Sequence, residues 1–182
     1  MIIKRLTLNN FGVYAGINTF EFTNDKPIVL VGGMNGRGKT TFLEAILLAL
    51  YGSNSIAYKE SNYSTYNKYL RSYINKNSWS KQASIELEFV MNESSGSEYF
   101  ISREWNSLGK KTAETIIVKE NGQYSEFLTK NWAMFIENIL PSALSSFYFF
   151  DGEKIAELAV DDTNIQMKES IRSMLGISVL DR

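Results

Sequence analysis

The chain has 182 residues, of which 44% are hydrophobic and 21% are charged, a balance that suits one globular domain with its own core. It contains no cysteine and no histidine, which excludes disulfides, thiolate metal sites and imidazole catalysis. No apolar run approaches the roughly 20 residues that a membrane span needs, and the first residues lack the long apolar region of a signal peptide. We therefore expect a cytoplasmic protein with no membrane partner.

The first thirty residues predict two paired strands followed by a buried one. Residues 2–9 and 18–23 alternate between apolar and polar side chains, as half-buried strands do, and a loop over 10–16 joins them. The run 28–31, Ile-Val-Leu-Val, is continuously apolar, which is typical of a strand buried on both faces.

The segment after this strand carries the most specific pattern in the chain. Residues 33–40 read Gly-Met-Asn-Gly-Arg-Gly-Lys-Thr and fit G-x-x-x-x-G-K-[ST], the phosphate-binding loop between a strand and a helix. Small residues let successive backbone N–H groups turn toward a β-phosphate, and the helix N-terminus adds positive potential. We expect the catalytic Lys39 to reach the β- and γ-phosphates and Thr40 to bind Mg²⁺. The predicted nucleotide-binding residues are Gly33, Asn35, Gly36, Arg37, Gly38, Lys39, Thr40 and Thr41.

A helix over 41–50 follows and ends at Gly52, and a loop over 53–65 leads to a short helix over 66–76. Basic and aromatic residues alternate in this part, namely Lys59, Lys68, Arg71, Lys76 and Lys81 with Tyr63, Tyr66, Tyr69, Tyr73 and Trp79. The mixture fits either a nucleic-acid surface or an amphipathic helix with a solvated basic face. The second is favoured, because a net charge of −1 gives the chain as a whole no attraction to nucleic acid.

The next part predicts an antiparallel meander and then a helix. Alternating runs over 85–91, 99–105 and 115–119 indicate strands, and Asn-Gly at 121–122 is a strong hairpin signal toward a further strand over 124–127. Apolar residues then recur at helical spacing over 132–140 until Pro141 ends the helix, and we expect the bulky aromatic ones to lie in the core. A capping-box pattern at 163–166 predicts one more helix, which closes near Gly176.

Asp151 is a candidate metal ligand with three open interpretations. It lies in the loop that joins the two lobes of ABC-type ATPases, or it ends a Walker B strand with Glu153 near an attacking water, or it only caps the next helix. The loop is favoured, because Gly152 separates two acids that are adjacent in an ABC Walker B motif and because 141–146 look like a helical turn. Both functional interpretations place the Asp151 carboxylate near Thr40.

Taken together, these motifs resemble SMC-like ATPases. The N-terminal Ile-Lys-Arg-Leu-Thr-Leu-Asn-Asn-Phe and the Asn-Gly-x-Gly-Lys-Thr-Thr loop look like the N-terminal half of their ATP-binding head, including that of the SbcC-type repair proteins. Segments 146–155, with Phe-Phe-Asp-Gly-Glu, and 174–182 are more similar to the DndD family, the ATPases of bacterial DNA sulfur (phosphorothioate) modification. The resemblance covers essentially the whole chain.

The resemblance implies an α/β fold of the P-loop NTPase class, the N-terminal lobe of an ABC/SMC-type head, with an antiparallel β-meander beside the P-loop sheet. This lobe would span 1–176, and 177–182 would start a truncated helix that leads into a coiled coil. ATP and Mg²⁺ are the implied ligands. The implied partners are the C-terminal half of the same head, a second head that sandwiches ATP, DNA, and DNA-modification proteins. On this view the chain is a fragment that binds ATP with little or no hydrolysis.

Two residues depart from the family pattern. Asp151 stands where such loops carry a glutamine, and Gly12 stands where an arginine can contact nucleotide, with Arg5 only a weak substitute. Two alternatives to a DNA sulfur-modification ATPase stay open. One is an SbcC-like repair or phage-defence ATPase, and the other is a nucleotide-dependent interaction module that does not hydrolyse ATP.

Overall fold

The computed structural model describes residues 1–22, 31–32, 34, 38–91, 96–109, 112–145 and 149. In this part of the chain the strands form one antiparallel sheet in the order β2-β1-β3-β4-β5-β6. Their bounds are β1 (Ile2–Phe11), β2 (Tyr14–Glu21), β3 (Gln82–Val90), β4 (Glu98–Asn106), β5 (Glu114–Glu120) and β6 (Gln123–Tyr124). The predicted N-terminal pair and the predicted antiparallel meander are therefore confirmed, and they join into a single sheet through β1 and β3. The loop predicted over 10–16 is shorter, because β1 continues to Phe11 and β2 begins at Tyr14.

The helices of the described residues are α1 (Lys39–Tyr51), α2 (Ile56–Lys59), α3 (Tyr66–Ser72) and α4 (Glu126–Ile139). Short 3₁₀ turns lie at Gly52–Asn54 and Ser142–Leu144. Hydroxyl side chains begin α2, α3 and α4, because Ser55, Thr65 and Ser125 each accept a hydrogen bond from a backbone N–H of the first turn. No helix in the described ranges is both long enough and apolar enough to cross a membrane.

The strand register places one face of the sheet in the core. Leu6 pairs with Leu87, Leu87 with Ile101, and Ile101 with Val118, and all four side chains are fully buried. Neighbouring positions point to the opposite face, since side chains alternate along a strand. This face carries exposed groups such as Ile117.

Helix α1 is enclosed by the fold. It packs on β3 and β4 and beside α4, and every residue from Ala45 to Tyr51 is buried. A helix segment that is buried on every side, as Ala45–Tyr51 is, belongs inside a core. The sheet and α4 therefore fix the direction in which α1 presents its N-terminus. Trp132 of α4 is buried against this core and Phe135 packs at its border, as the sequence predicts.

Some predicted boundaries are wrong for local reasons. The strand predicted over 124–127 ends at Tyr124, because Ser125 accepts a hydrogen bond from Leu128 N–H and begins α4. The helix predicted over 66–76 ends at Ser72, and Ile74 instead bridges to Phe11 of β1. The loop predicted over 53–65 contains α2.

Other predicted elements fall outside the described residues and stay predictions. Residues 28–30 of the strand before the phosphate loop are among them, whereas Val31 is described and lies in irregular backbone. The capping box at 163–166, its helix to Gly176 and the segment 177–182 are also outside. The division into residues 1–176 and 177–182 is therefore untested.

Candidate nucleotide-binding site

The candidate site begins where the phosphate loop enters α1. Gly38 is the N-cap, with φ 106° and ψ 5°, and no side chain caps the helix there. Its carbonyl accepts hydrogen bonds from Phe42 N–H at 2.8 Å and from the Tyr14 hydroxyl at 3.1 Å. The first turn contains no acidic residue that would compete with an anionic ligand. The helix start is therefore compatible with a phosphate group.

The turn between β1 and β2 forms a wall beside this helix start. A Cβ on Gly38 would lie 2.8 Å from both the Tyr14 hydroxyl and a methyl group of Val13. A Cβ on Gly12, which has φ +56°, would lie 2.5 Å from the Thr41 methyl group. Both positions therefore need glycine for space as well as for backbone conformation.

Aromatic packing holds this wall against α1. The Tyr14 ring meets Phe20 edge-on at 5.7 Å, and Phe20 meets Phe42 edge-on at 5.0 Å. Burial raises the pKa of Tyr14, which keeps the hydroxyl protonated and able to donate to Gly38. Tyr14 is thus placed to position the backbone that leads into Lys39.

The segment after α3 supports the same turn from the other side. Gly12 N–H donates to the Tyr73 carbonyl at 2.6 Å, and the Asn75 side chain donates to the Gly12 carbonyl at 2.7 Å. Asn75 N–H also bonds the Asn10 carbonyl at 2.8 Å. The turn is therefore fixed between α1 and the 73–75 segment.

The predicted site residues are only partly within the described ranges. Lys39, Thr40 and Thr41 follow Gly38 in the first turn of α1, where Lys39 is half-buried and Thr40 exposed. The remaining predicted ligands lie outside the described residues, namely Gly33, Asn35, Gly36, Arg37 and Asp151. Their roles, and the choice among the three interpretations of Asp151, remain predictions.

Arg5 is engaged elsewhere. Its guanidinium donates to the Glu88 carboxylate across the β1–β3 pair, on the face of the sheet opposite the core. The Glu88 hydrogen bond also raises the pKa of Arg5. Gly12, where the family pattern has an arginine, lies instead at the wall of the site, and its contact with Thr41 leaves no room for a Cβ at this backbone position.

The opposite end of α1 is held by three donors. Gly52 N–H donates to the Leu48 carbonyl. Arg103 Nε donates to the Ala49 carbonyl at 2.9 Å, and Trp132 Nε1 donates to the Leu50 carbonyl at 2.8 Å. These bonds satisfy carbonyls that a helix C-terminus leaves without partners. A positive side chain here is also favourable for the helix dipole.

Arg103 reaches this position through a buried polar network. Its side chain is 4% exposed and forms an ion pair with Glu114 at 2.9 Å, and Tyr66 donates to the same carboxylate at 3.0 Å. Sequence reasoning missed this residue, although the signal was present. Arg103 shares the alternation of Ile101 and Trp105, the core-facing residues of β4.

Most tyrosines of the basic and aromatic segment, residues 59–81, pack in the interior of the fold. Tyr69 packs against Tyr58, Tyr63 and Tyr73, with ring centroids 5.0 to 5.8 Å apart. Burial raises the pKa of Tyr69 to about 12. Tyr73 also stacks on Phe11 at 4.6 Å. These rings therefore build the support of the β1–β2 turn.

Comparison with known proteins identifies the class. The sequence pattern of the AAA domain family matches residues 5–175, and the chain belongs to this family. The prediction of an α/β fold of the P-loop NTPase class is thereby confirmed.

Two relatives of known name are DNA-repair and SbcC-type proteins. The chain is 30% identical, over its whole length, to the DNA double-strand break repair Rad50 ATPase of Methanocaldococcus jannaschii, and this alignment covers 16% of that protein. It is 54% identical over 48 residues, 26% of this chain, to the SbcC component of the SbcCD nuclease of Treponema pallidum, of which 5% is covered. The chain thus spans a small part of the length of these relatives.

A solved structure shows a more distant likeness. The SMC head domain from Thermotoga maritima aligns with 69% of this chain and 39% of its own, at 19% identity and a TM-score of 0.41.

Proposed function

We propose that this chain is the ATP-binding part of an SbcC- or Rad50-like ATPase head that acts on DNA. The observation that carries the proposal is the start of α1, where a glycine N-cap without a side-chain cap is followed by Lys39 and Thr40. The match of this whole chain to 16% of a Rad50 ATPase supports the DNA-acting class. A cytoplasmic location, expected from the sequence, goes with this proposal.

The described residues fit a nucleoside triphosphate with Mg²⁺. Tyr14 and Val13 fill the space that a side chain on Gly38 would need, so this glycine lets the β1–β2 turn pack against the start of α1. Lys39 would hold the β- and γ-phosphates, and the Thr40 hydroxyl would bind the metal. When bound, Mg²⁺ neutralises charge that develops on the phosphates. Tyr14 would keep Gly38, and with it the start of α1, in place.

Hydrolysis requires groups beyond this chain. We expect the C-terminal half of the same head to complete the site, and a second head to close over ATP. Positioning of the attacking water and stabilisation of charge in the transition state are each worth orders of magnitude in rate. The 182 residues alone are therefore expected to bind ATP with little or no turnover.

Asp151 tests the metal part of this proposal. Asp151→Asn removes a charge at nearly constant shape, so it should weaken Mg²⁺-dependent ATP binding more than metal-free binding. Calorimetric titration of ATP with Mg²⁺ and with EDTA measures both affinities. Equal affinities for wild type and variant in the two buffers would remove Asp151 from the metal site and leave the capping interpretation.

A finer proposal is that the ATPase serves DNA sulfur modification. It rests on the Phe-Phe-Asp-Gly-Glu segment at 149–153, whereas the relatives above are named for SbcC and Rad50. Lys39→Ala in the host cell distinguishes a role in sulfur modification from a role in DNA repair. Loss of phosphorothioate from the DNA would support sulfur modification, and sensitivity to double-strand breaks with unchanged sulfur content would support repair.

A further inference from the structure

The basic and aromatic segment divides into a buried part and an exposed part. Tyr66, Tyr69 and Tyr73 pack with one another and with the core. Trp79, in contrast, is fully exposed. These three tyrosines therefore contribute to packing, whereas the indole of Trp79 lies in solvent.

Trp79 lies where two loops meet at one end of the sheet. Gln82, the first residue of β3, pairs with Asn106, the last of β4, and Ser107 N–H donates to the Lys81 carbonyl at 2.9 Å. Arg71 of α3 contacts the loop between β4 and β5, since it donates to Thr112 Oγ1 at 2.7 Å and to the Gly109 carbonyl. We name the surface formed by 76–81 and 107–109 the loop patch.

The loop patch is positively charged in a chain with net charge −1. Residues 61–85 contain Lys68, Arg71, Lys76 and Lys81 and no acidic residue, and 105–113 contain no acidic residue either. Lys76 and Lys81 are exposed. The ion pairs observed in the described ranges use Arg5, Arg103 and Lys130, so none of them neutralises these two lysines. The charge of the patch is thus available to a polyanion.

We propose that the loop patch binds single-stranded nucleic acid. Lysines at 76 and 81 would contact the phosphates, and the open indole of Trp79 would stack on a base. An unpaired strand offers base faces for stacking, whereas the bases of a duplex already stack on each other. An acidic protein segment would satisfy the charges but not the indole. Leu108, 74% exposed on the neighbouring loop, extends the apolar contact.

The loop patch follows directly in the chain after a residue that supports the candidate nucleotide site. The same segment begins at Asn75, whose side chain holds Gly12 in the wall of that site. Nevertheless, the patch shares no residue with the phosphate loop. Loss of nucleic-acid binding would therefore leave the proposed ATP site intact, and loss of ATP binding would not disprove the patch.

Tryptophan fluorescence reports directly on this proposal. The chain has three tryptophans, and Trp105 and Trp132 are 1% and 2% exposed, so acrylamide quenching acts mainly on Trp79. Titration with a thymidine oligonucleotide of about 15 residues should quench this emission and protect it from acrylamide. A duplex of equal length and polyglutamate should do neither.

Variants identify the contacts. Trp79→Ala should weaken oligonucleotide binding about tenfold, as expected from the loss of one stacked base, measured by anisotropy of a labelled strand. Lys76→Ala and Lys81→Ala should each weaken binding and reduce its salt dependence by about 0.7 in the log–log slope. Lys130→Ala, in an exposed pair on α4, is the matched control and should change nothing.

Three outcomes would overturn the proposal. One is an unchanged affinity of Trp79→Ala for the oligonucleotide. A second is tighter binding of polyglutamate, which would indicate an acidic protein partner. The third is binding of the duplex at least as tight as that of the single strand, with no change in Trp79 emission. All these side chains are exposed, and far-ultraviolet circular dichroism confirms that each variant is folded.

Discussion

The two ends of α1 differ in which groups satisfy the helix backbone. At the C-terminus, protein donors from Gly52, Arg103 and Trp132 bond three successive carbonyls. At the N-terminus, the cap is Gly38, and no side chain caps the helix. One end is fixed by the fold, and the other is the end at which we propose that nucleotide binds.

This difference separates stability from function along one helix. The C-terminal donors come from β4 and α4 and lie in the core, so changes there should lower the free energy of unfolding. The N-terminal contacts come from a turn that touches Gly38 and Thr41, so changes there should alter nucleotide affinity, and those that force a clash should also lower stability. The predictions below test this separation, beginning with the largest effect.

Arg103→Met should lower the free energy of unfolding by about 3 kcal/mol, because it leaves Glu114 without its ion-pair partner and Ala49 without a donor. Urea denaturation measures this loss. Arg5→Met is the matched control, since Arg5 also pairs with a glutamate across neighbouring strands but is 45% exposed. It should cost less than about 1 kcal/mol. Equal losses in the two variants would contradict the anchoring role of Arg103.

Gly12→Ala should destabilise the protein by about 2 kcal/mol and weaken ATP binding, because the new Cβ must displace Thr41. Gly16→Ala is the control within the same hairpin. Gly16 has a similar φ of +66°, but no atom lies within 4 Å of its Cβ position, so only the backbone cost of about 1 kcal/mol remains. If both variants bound ATP with the same affinity, the contact with Thr41 would have no functional role.

Tyr14→Phe removes a single hydroxyl that donates to Gly38. We expect a loss of about 1 kcal/mol in the binding of Mg·ATP, or about fivefold in Kd, with almost no change in Tm. Tyr124→Phe, at a side chain that is 60% exposed, serves as the control and should bind as wild type. An ATP affinity of Tyr14→Phe equal to that of wild type would show that the hydroxyl does not position the loop.

The sequence reveals one end of α1 far better than the other. Phosphate chemistry fixes residue types and spacing within one short segment, so the pattern at 33–40 is visible without a structure. The antiparallel strands are also visible, since alternation records which face is buried. Both features depend on local order along the chain.

The anchor of α1 and the wall of its site depend instead on distant pairings. Arg103 reaches Ala49 only in the observed register of the sheet, and Tyr14 reaches Gly38 only because a turn folds back onto α1. In the sequence, Arg103 stands out as a charged residue at a core-facing position of β4. The pattern does not reveal that it bonds Ala49 and Glu114. Ser125 shows a similar limit, because its capping role overrides the strand expected after the Asn-Gly turn.

The most direct test compares Mg·ATP-induced thermal stabilisation in wild type, Lys39→Ala and Arg103→Met. At a concentration of about 100 times Kd, ligand binding stabilises the folded protein by about 2.7 kcal/mol, which corresponds to a rise in Tm of about 5–10 °C. We predict that Lys39→Ala keeps the wild-type Tm without ATP and loses this rise. Arg103→Met should melt about 6–12 °C lower without ATP and keep the rise. A full ATP-induced rise in Lys39→Ala, at the wild-type Tm without ligand, would contradict the assignment of the N-terminus of α1 as the nucleotide site.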